Sequence, residues 1–224
     1  MTKKARHFRY MDVLNVLSCF AVVVLHCTTV VYVNQGNVQW FVSVALQSLF
    51  MFAVPVFFMI SGANLIGYRS RYSTKVFFQK RLKRVLATLV GFSFFIYVLS
   101  CLVPTQLGLP PRSFSVVEFF DLLLTNRICD VYWFMYSILI LYLITPLLAS
   151  FASNKRLLKY AIGLCVVSTA IIPFANRFAP NHDLFSVFAV PYLTGAIMYY
   201  LIGYYIVTYS PLDKRDGKMR SVFL

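Results

Sequence analysis

One ionisable side chain, His26, interrupts a stretch of apolar sequence near the start of the chain. Residues 13–33 contain no charged residue, and a run of that length is sufficient to cross a bilayer as a helix. A titratable group inside such a run is costly to keep, so it indicates a functional role. Imidazole is the usual proton acceptor in catalysis near neutral pH. His26 is therefore a candidate general base for a reaction in which a hydroxyl loses its proton.

Two further polar residues lie on the same face of the predicted helix. Asn15 precedes His26 by eleven residues and Asp12 by fourteen, which brings them to within about 20° and about 40° of it. Asp12 is about 21 Å of helix rise away, so it cannot orient the imidazole and is better suited to pair with a cation from 80–84. We interpret Asn15 and Asp12 as polar supports of His26. The alternative for His26 is a packing role, with its imidazole bonded to a neighbouring backbone carbonyl.

A cluster of cations precedes the third apolar stretch. Lys80, Arg81 and Arg84 lie within five residues at the predicted membrane edge. Arg81 and Arg84 are three residues apart and share one face if the segment is helical. Guanidinium groups offer forked donors that fit phosphate oxygens, whereas the alternative is an anchor for anionic lipid head groups.

The composition is that of a multi-span membrane protein. The chain is 60% hydrophobic and 12% charged, against about 25% charged in soluble domains. Uncharged stretches predict an all-α helix bundle in the lipid bilayer, with six transmembrane helices near 11–33, 40–66, 85–103, 131–151, 158–175 and 188–209.

The distribution of cations predicts the orientation. Eighteen of the 21 Lys and Arg residues lie in the N-terminus, in 68–84, in 152–159 and in the tail, and three lie in the intervening connections. Cytoplasmic segments carry such an excess, so both termini are expected in the cytoplasm. The net charge of +14 follows from this bias and does not indicate a nucleic-acid partner. We expect one membrane domain, 1–210, followed by a basic cytoplasmic tail, 211–224.

The 104–130 connection contains a predicted short helix. Ser115 can cap it, and Val116, Val117, Phe119 and Phe120 are expected on the membrane surface. None of the five cysteines forms a C-x-x-C pair, so no metal site is predicted. A disulfide between Cys101 and Cys129 is an open alternative.

Five strings together carry a resemblance to a known family. In chain order they are MDVLN (11–15) with VVVLH (22–26), VPVFFMISG (54–62), FQKRLKR (78–84), WF (133–134) with LYLITP (141–146), and YYLIGYY (199–205). Their order resembles membrane-bound acyltransferase family 3, the O-acetyltransferases of bacterial surface sugars. The strings around His26 and at 54–62 are similar to the enterobacterial-common-antigen O-acetyltransferase type.

The resemblance implies a multi-pass enzyme of the bacterial inner membrane. It would move an acetyl or similar acyl group from acyl-CoA, with acetyl-CoA as the expected donor, to a hydroxyl of a cell-envelope sugar or glycolipid. His26 would be the base, and Lys80, Arg81 and Arg84 would bind the donor. Trp133 and Ser61 would contribute to the acceptor site. No bound cofactor is implied, and the oligomeric state is left open.

The chain departs from the family pattern in two respects. The family usually has Arg or Lys at the position of Asn15, and asparagine can hydrogen-bond but supplies no fixed charge. The family also usually has several more spans than six, so we expect a fragment, a truncated product or a shorter variant. A polysaccharide export or translocation component and an inactive relative are the alternative functions.

Overall fold

The computed structural model describes residues 9–103, 108–178 and 191–209, and these residues form helices and no strands. Five helical segments are long and apolar enough to cross a membrane. Their bounds are Arg9–Cys27, Val38–Ser70, Thr74–Leu102, Asp130–Phe151 and Lys155–Phe178. The prediction of an all-α, multi-pass membrane protein is confirmed.

Within the described residues, ten α-helices build these segments and their neighbours. They are α1 (Arg9–Cys27), α2 (Val38–Phe50), α3 (Ala53–Leu65), α4 (Thr74–Phe77), α5 (Lys83–Leu102), α6 (Val116–Leu124), α7 (Trp133–Phe151), α8 (Lys155–Val166), α9 (Ile172–Phe178) and α10 (Pro191–Tyr209). Tighter 3₁₀ turns follow α1 at Thr29–Tyr32, follow α3 at Ile66–Ser70 and precede α7 at Asp130–Tyr132. Wider π-helical turns connect α4 to α5 at Phe78–Leu82 and α8 to α9 at Val167–Ile171.

The sixth predicted span corresponds to α10, a helix of 19 residues. It is not among the five segments above, and six of its 19 residues are tyrosines. The predicted start of this span at 188 and the predicted tail 211–224 lie outside the described residues.

Prolines explain two irregularities in the helical segments. The Val38–Ser70 segment is interrupted between α2 and α3, and Pro55 lies in the first turn of α3, where a missing backbone N–H costs no helical hydrogen bond. Pro173 lies in α9, directly after the π-helical turn Val167–Ile171. A proline cannot donate to the carbonyl four residues earlier, which accounts for the wider turn at this point.

The chain divides into two compact units, which are described separately. Unit one comprises residues 1–71 and 147–224, and unit two comprises 72–146. The boundary falls inside α7, directly after Pro146.

Unit one is held together by a close crossing of α3 and α10. A Cβ atom added at Gly62 would overlap the carbonyl oxygen of Tyr200, and a Cβ added at Gly203 would overlap the carbonyl oxygen of Met59. Small residues permit such approach of helix backbones in membranes. The crossing brings together two of the family strings, 54–62 and 199–205.

Unit two packs α6 against α5, and the predicted cap of α6 is present. The side chain of Ser115 accepts a hydrogen bond from the backbone N–H of Glu118 at 3.4 Å. The expectation for Phe119 was wrong. It is buried, 5.4 Å from the ring of Tyr97 between centroids, because it lies on the face of α6 that carries the buried Leu122 and Leu123.

The other three residues of α6 that we expected at the surface are exposed. Val116, Val117 and Phe120 are exposed, which leaves an apolar flank beside the packed face. The thiols of all five cysteines are free, so Cys101 and Cys129 form no disulfide.

The predicted orientation of the spans can be tested at two exposed positions. Asn37 caps the start of α2, and Lys75 lies in α4, so the segment Val38–Ser70 separates them along the chain. In a cysteine-free background, a membrane-impermeant maleimide should label Asn37→Cys in intact cells. It should label Lys75→Cys only after permeabilisation. Labelling of both positions from the same side would contradict the six-span topology.

Candidate functional site

His26 lies in the last turn of α1, one residue before the helix ends at Cys27. The sequence predicts a position well inside a span of 11–33, whereas the structure places the imidazole at the end of the helix. Thr28 directly follows the end of the helix. Its side-chain hydroxyl donates to the carbonyl oxygen of Val24 at 2.8 Å, and the chain continues as the 3₁₀ turn Thr29–Tyr32.

The imidazole of His26 is exposed. Within residues 9–103, 108–178 and 191–209, no side chain or backbone group hydrogen-bonds to it. The alternative interpretation as a packing histidine requires a neighbouring carbonyl as partner, and the described residues provide none.

The three candidate residues of α1, Asp12, Asn15 and His26, lie beside the buried face of the helix. Met11, Ser18 and Ala21 form that face. At 100° per residue, Asn15 and His26 are about 60° and about 80° from Ser18, and Asp12 is about 120° from it. This agrees with their burial, because Asn15 is partly buried whereas Asp12 and His26 are exposed. A single helix therefore holds all three candidate residues in the predicted order.

Gln47 of α2 contacts the end of α1 and is not among the site residues predicted from the sequence. Its amide nitrogen donates to the carbonyl oxygen of Leu25 at 2.7 Å and to the hydroxyl of Thr28 at 2.9 Å. A signal is present in the sequence, because Gln47 is a polar residue inside the predicted span 40–66, the same argument that identifies His26.

Ser61 lies in unit one on α3, next to Gly62. It is partly buried and adjoins the crossing of α3 and α10. Trp133 lies in unit two as the first residue of α7, is 44% exposed, and packs edge to face on Phe134 at 6.3 Å between ring centroids. Its position at a helix end fits the aromatic belt at a membrane interface.

The cationic cluster lies in unit two, at the junction of α4 and α5. Lys80 and Arg81 are in the π-helical turn Phe78–Leu82, and Arg84 is in the first turn of α5. The Nζ atom of Lys80 lies over the ring of Tyr72 at 5.6 Å from its centroid, within the range of a cation–π contact. Turns of π type are frequent at functional sites.

Tyr142 of α7 adds a hydroxyl to this cluster. The side chain of Tyr142 is 9% exposed, and its ring packs on that of Phe77 at 6.0 Å between centroids. Phe77 is the last residue of α4 and directly precedes the turn that carries Lys80 and Arg81, so this ring contact places Tyr142 near that turn. Two guanidinium groups, an ammonium group and a phenol are the donor types that bind phosphate oxygens. In the sequence, Tyr142 stands out only as one letter of the string LYLITP.

A family model described as an acyltransferase domain matches residues 8–221. The chain belongs to this acyltransferase family. The matched range covers almost the whole chain and includes every candidate residue of both units. No curated protein and no solved structure matches the chain.

Proposed function

We propose that this membrane acyltransferase moves an acetyl or similar acyl group from acyl-CoA to a hydroxyl of a cell-envelope sugar or glycolipid, in the bacterial inner membrane. The observation that carries the proposal is the exposed imidazole of His26 at the end of α1, in a chain of the acyltransferase family. The similarity of two strings to the enterobacterial-common-antigen O-acetyltransferase type supports a surface-sugar acceptor.

In the proposed reaction, His26 takes the proton of the acceptor hydroxyl as general base. The acceptor oxygen then attacks the thioester carbonyl carbon, the C–S bond breaks, and CoA leaves as a thiolate. The imidazolium returns the proton to that thiolate. The overall exchange converts a hydroxyl and a thioester into an oxygen ester and a thiol, and no electrons are transferred.

The other candidate residues take supporting roles in this proposal. Asn15 offers an amide on the same side of α1 as His26, and Asp12 offers a carboxylate nearer the start of the helix. Trp133 supplies an exposed ring that a sugar can stack on, and Ser61 supplies a hydroxyl beside a close helix crossing. In this proposal Asn15, Asp12 and Ser61 orient the acceptor within unit one, and proton transfer depends on His26 alone.

The donor site is proposed at the cationic cluster, with Lys80, Arg81, Arg84 and Tyr142 around the CoA phosphates. The double variant Arg81→Ala/Arg84→Ala should weaken acyl-CoA binding in detergent by about 2 kcal/mol, roughly 30-fold in Kd. This allows for solvent screening of the exposed Arg84. The measurement is a titration of acyl-CoA against purified protein, at low salt and at high salt, where the difference should shrink.

The matched control removes two cations elsewhere. Lys155→Ala/Arg156→Ala, at the start of α8 in unit one, changes the net charge equally and should leave the Kd unchanged. Equal affinity of the parent chain and the Arg81/Arg84 variant would assign the cluster to anchoring on anionic lipids instead.

A further inference from the structure

Gln47 is a buried amide in the middle of an apolar helix. It is 9% exposed, and its side-chain hydrogen bonds within the described part of the chain go to the end of α1. Because a carbonyl oxygen can only accept, the contact with Leu25 at 2.7 Å places the amide nitrogen, rather than the amide oxygen, toward α1. The same nitrogen also lies 3.4 Å from the carbonyl oxygen of Thr28.

These bonds satisfy groups that the helix itself leaves without donors. The last four carbonyls of an α-helix have no intrahelical partner, and the hydrocarbon region offers no water to replace it. In α1 the carbonyl of Val24 accepts from the Thr28 hydroxyl at 2.8 Å, and the carbonyl of Leu25 accepts from Gln47. Gln47 also contacts the Thr28 hydroxyl, so the two side chains together determine where α1 ends.

His26 directly follows Leu25, and its backbone belongs to the turn that this network holds. We propose that Gln47 is a positioning residue for His26: it fixes the last turn of α1 through Leu25 and Thr28, and thereby the place from which the imidazole reaches the acceptor hydroxyl. It contacts neither the imidazole nor, in this proposal, the substrate. The catalytic part of this inference rests on the proposed function, whereas the positioning of the helix end does not.

A second hydrogen bond joins α2 to the 3₁₀ turn Thr29–Tyr32 that follows α1, and it remains when Gln47 is changed. The indole N–H of Trp40 donates to the carbonyl oxygen of Val31 at 3.1 Å. Trp40 precedes Gln47 by seven residues, so both lie on nearly the same face of α2. Loss of the Gln47 amide should therefore loosen the end of α1 without separating the two helices.

The test replaces Gln47 by methionine, which keeps the length of the side chain and removes its donors. The kcat of acyl transfer should fall about 10- to 100-fold, the effect of a misplacement of about 1 Å, while KM for the acyl donor stays unchanged. Thr28→Val should lower kcat in the same way, and Thr28→Ser should restore it because the hydroxyl is kept. Ser48→Ala is the control, since the exposed Ser48 hydroxyl bonds only within α2, to Val44.

A second readout does not depend on catalysis. Cys27, which is exposed in the same turn as His26, is kept as the single cysteine, and its rate of reaction with a maleimide is measured. Gln47→Met should change this rate. In a separate protein whose single cysteine is Asn37→Cys, Gln47→Met should leave the rate of reaction with the maleimide unchanged.

The outcomes separate this inference from the proposed function. Normal kcat and an unchanged Cys27 rate in Gln47→Met would overturn the positioning role, as would a fall in kcat with an unchanged Cys27 rate. If His26→Gln itself transfers acyl groups normally, the proposed function of His26 fails, and the Cys27 rate still decides whether Gln47 fixes the helix end. Should Gln47→Met fail to insert, Thr28→Val is measured by the same two readouts, and an unchanged Cys27 rate in that variant would overturn the positioning role.

Discussion

Gly203→Ala is expected to break the packing of α3 on α10 and to cause a large loss of stability for the addition of a single methyl group. A Cβ at this position overlaps the carbonyl oxygen of Met59, which is backbone and cannot rotate away. The two helices must separate, and overpacking of this kind costs about 3 kcal/mol or more. The measurement is the midpoint of thermal unfolding of the purified protein in detergent, together with the yield of monodisperse protein.

Gly163 provides the matched control. It lies in α8, and a Cβ added there meets no heavy atom within 4 Å. Gly163→Ala should therefore leave the midpoint unchanged or raise it, because alanine favours the helix over glycine by about 0.5–1 kcal/mol. Equal midpoints for Gly203→Ala and Gly163→Ala would contradict the close crossing.

Gly62 offers a second test of the same contact. Gly62→Ala places a Cβ against the carbonyl oxygen of Tyr200 and should destabilise to a similar degree. Because both substitutions force apart the same pair of helices, the double variant should lose less than the sum of the two single losses.

The spans were predictable from the sequence because the bilayer imposes its thickness on the chain. An uncharged run of suitable length has few alternatives to a membrane helix, so the stretches 40–66 and 131–151 correspond closely to helical segments of the structure. The cap of α6 was predictable for a similar local reason, since Ser115 has its partner N–H three residues ahead.

Features that depend on a second helix were not predictable. Gln47 donates a hydrogen bond to Leu25, near the end of α1 and 22 residues away in the chain, and the uncharged run to residue 33 does not predict this contact. Phe119 and Phe120 are adjacent phenylalanines, and only the packing of α6 on α5 decides that Phe119 is buried. Likewise, the contact of Tyr142 with Phe77 follows from the packing of unit two.

The candidate site, too, was predictable only where it depends on a single helix. The order of Asp12, Asn15 and His26 on one helix followed from residue spacing alone, since an α-helix has a fixed rotation per residue. The exposure of His26 did not follow from residue spacing, because it depends on which face of α1 packs against the neighbouring helices. The catalytic role of His26 stays a prediction that only chemistry can test.

His26→Gln is expected to lower acyl transfer by about 10² to 10⁴, the usual contribution of general-base catalysis. Glutamine is similar in size to histidine and can still form hydrogen bonds, but it cannot accept a proton near neutral pH. Because the His26 side chain is exposed and makes no hydrogen bond among the described residues, the variant should insert and express as the parent does. The measurement is the transfer of labelled acetyl groups from acetyl-CoA to envelope glycans in membranes where the parent chain is active.

Two controls make this result specific. His182→Gln applies the same substitution to a histidine with no assigned role and should leave transfer unchanged. His26→Ala with added imidazole should regain part of the lost rate, because a free base can then enter the place of the missing side chain, and a purely structural defect would not respond in this way. Near-normal transfer by His26→Gln would show that hydrogen bonding at this position suffices, and the base would then have to be sought among other residues.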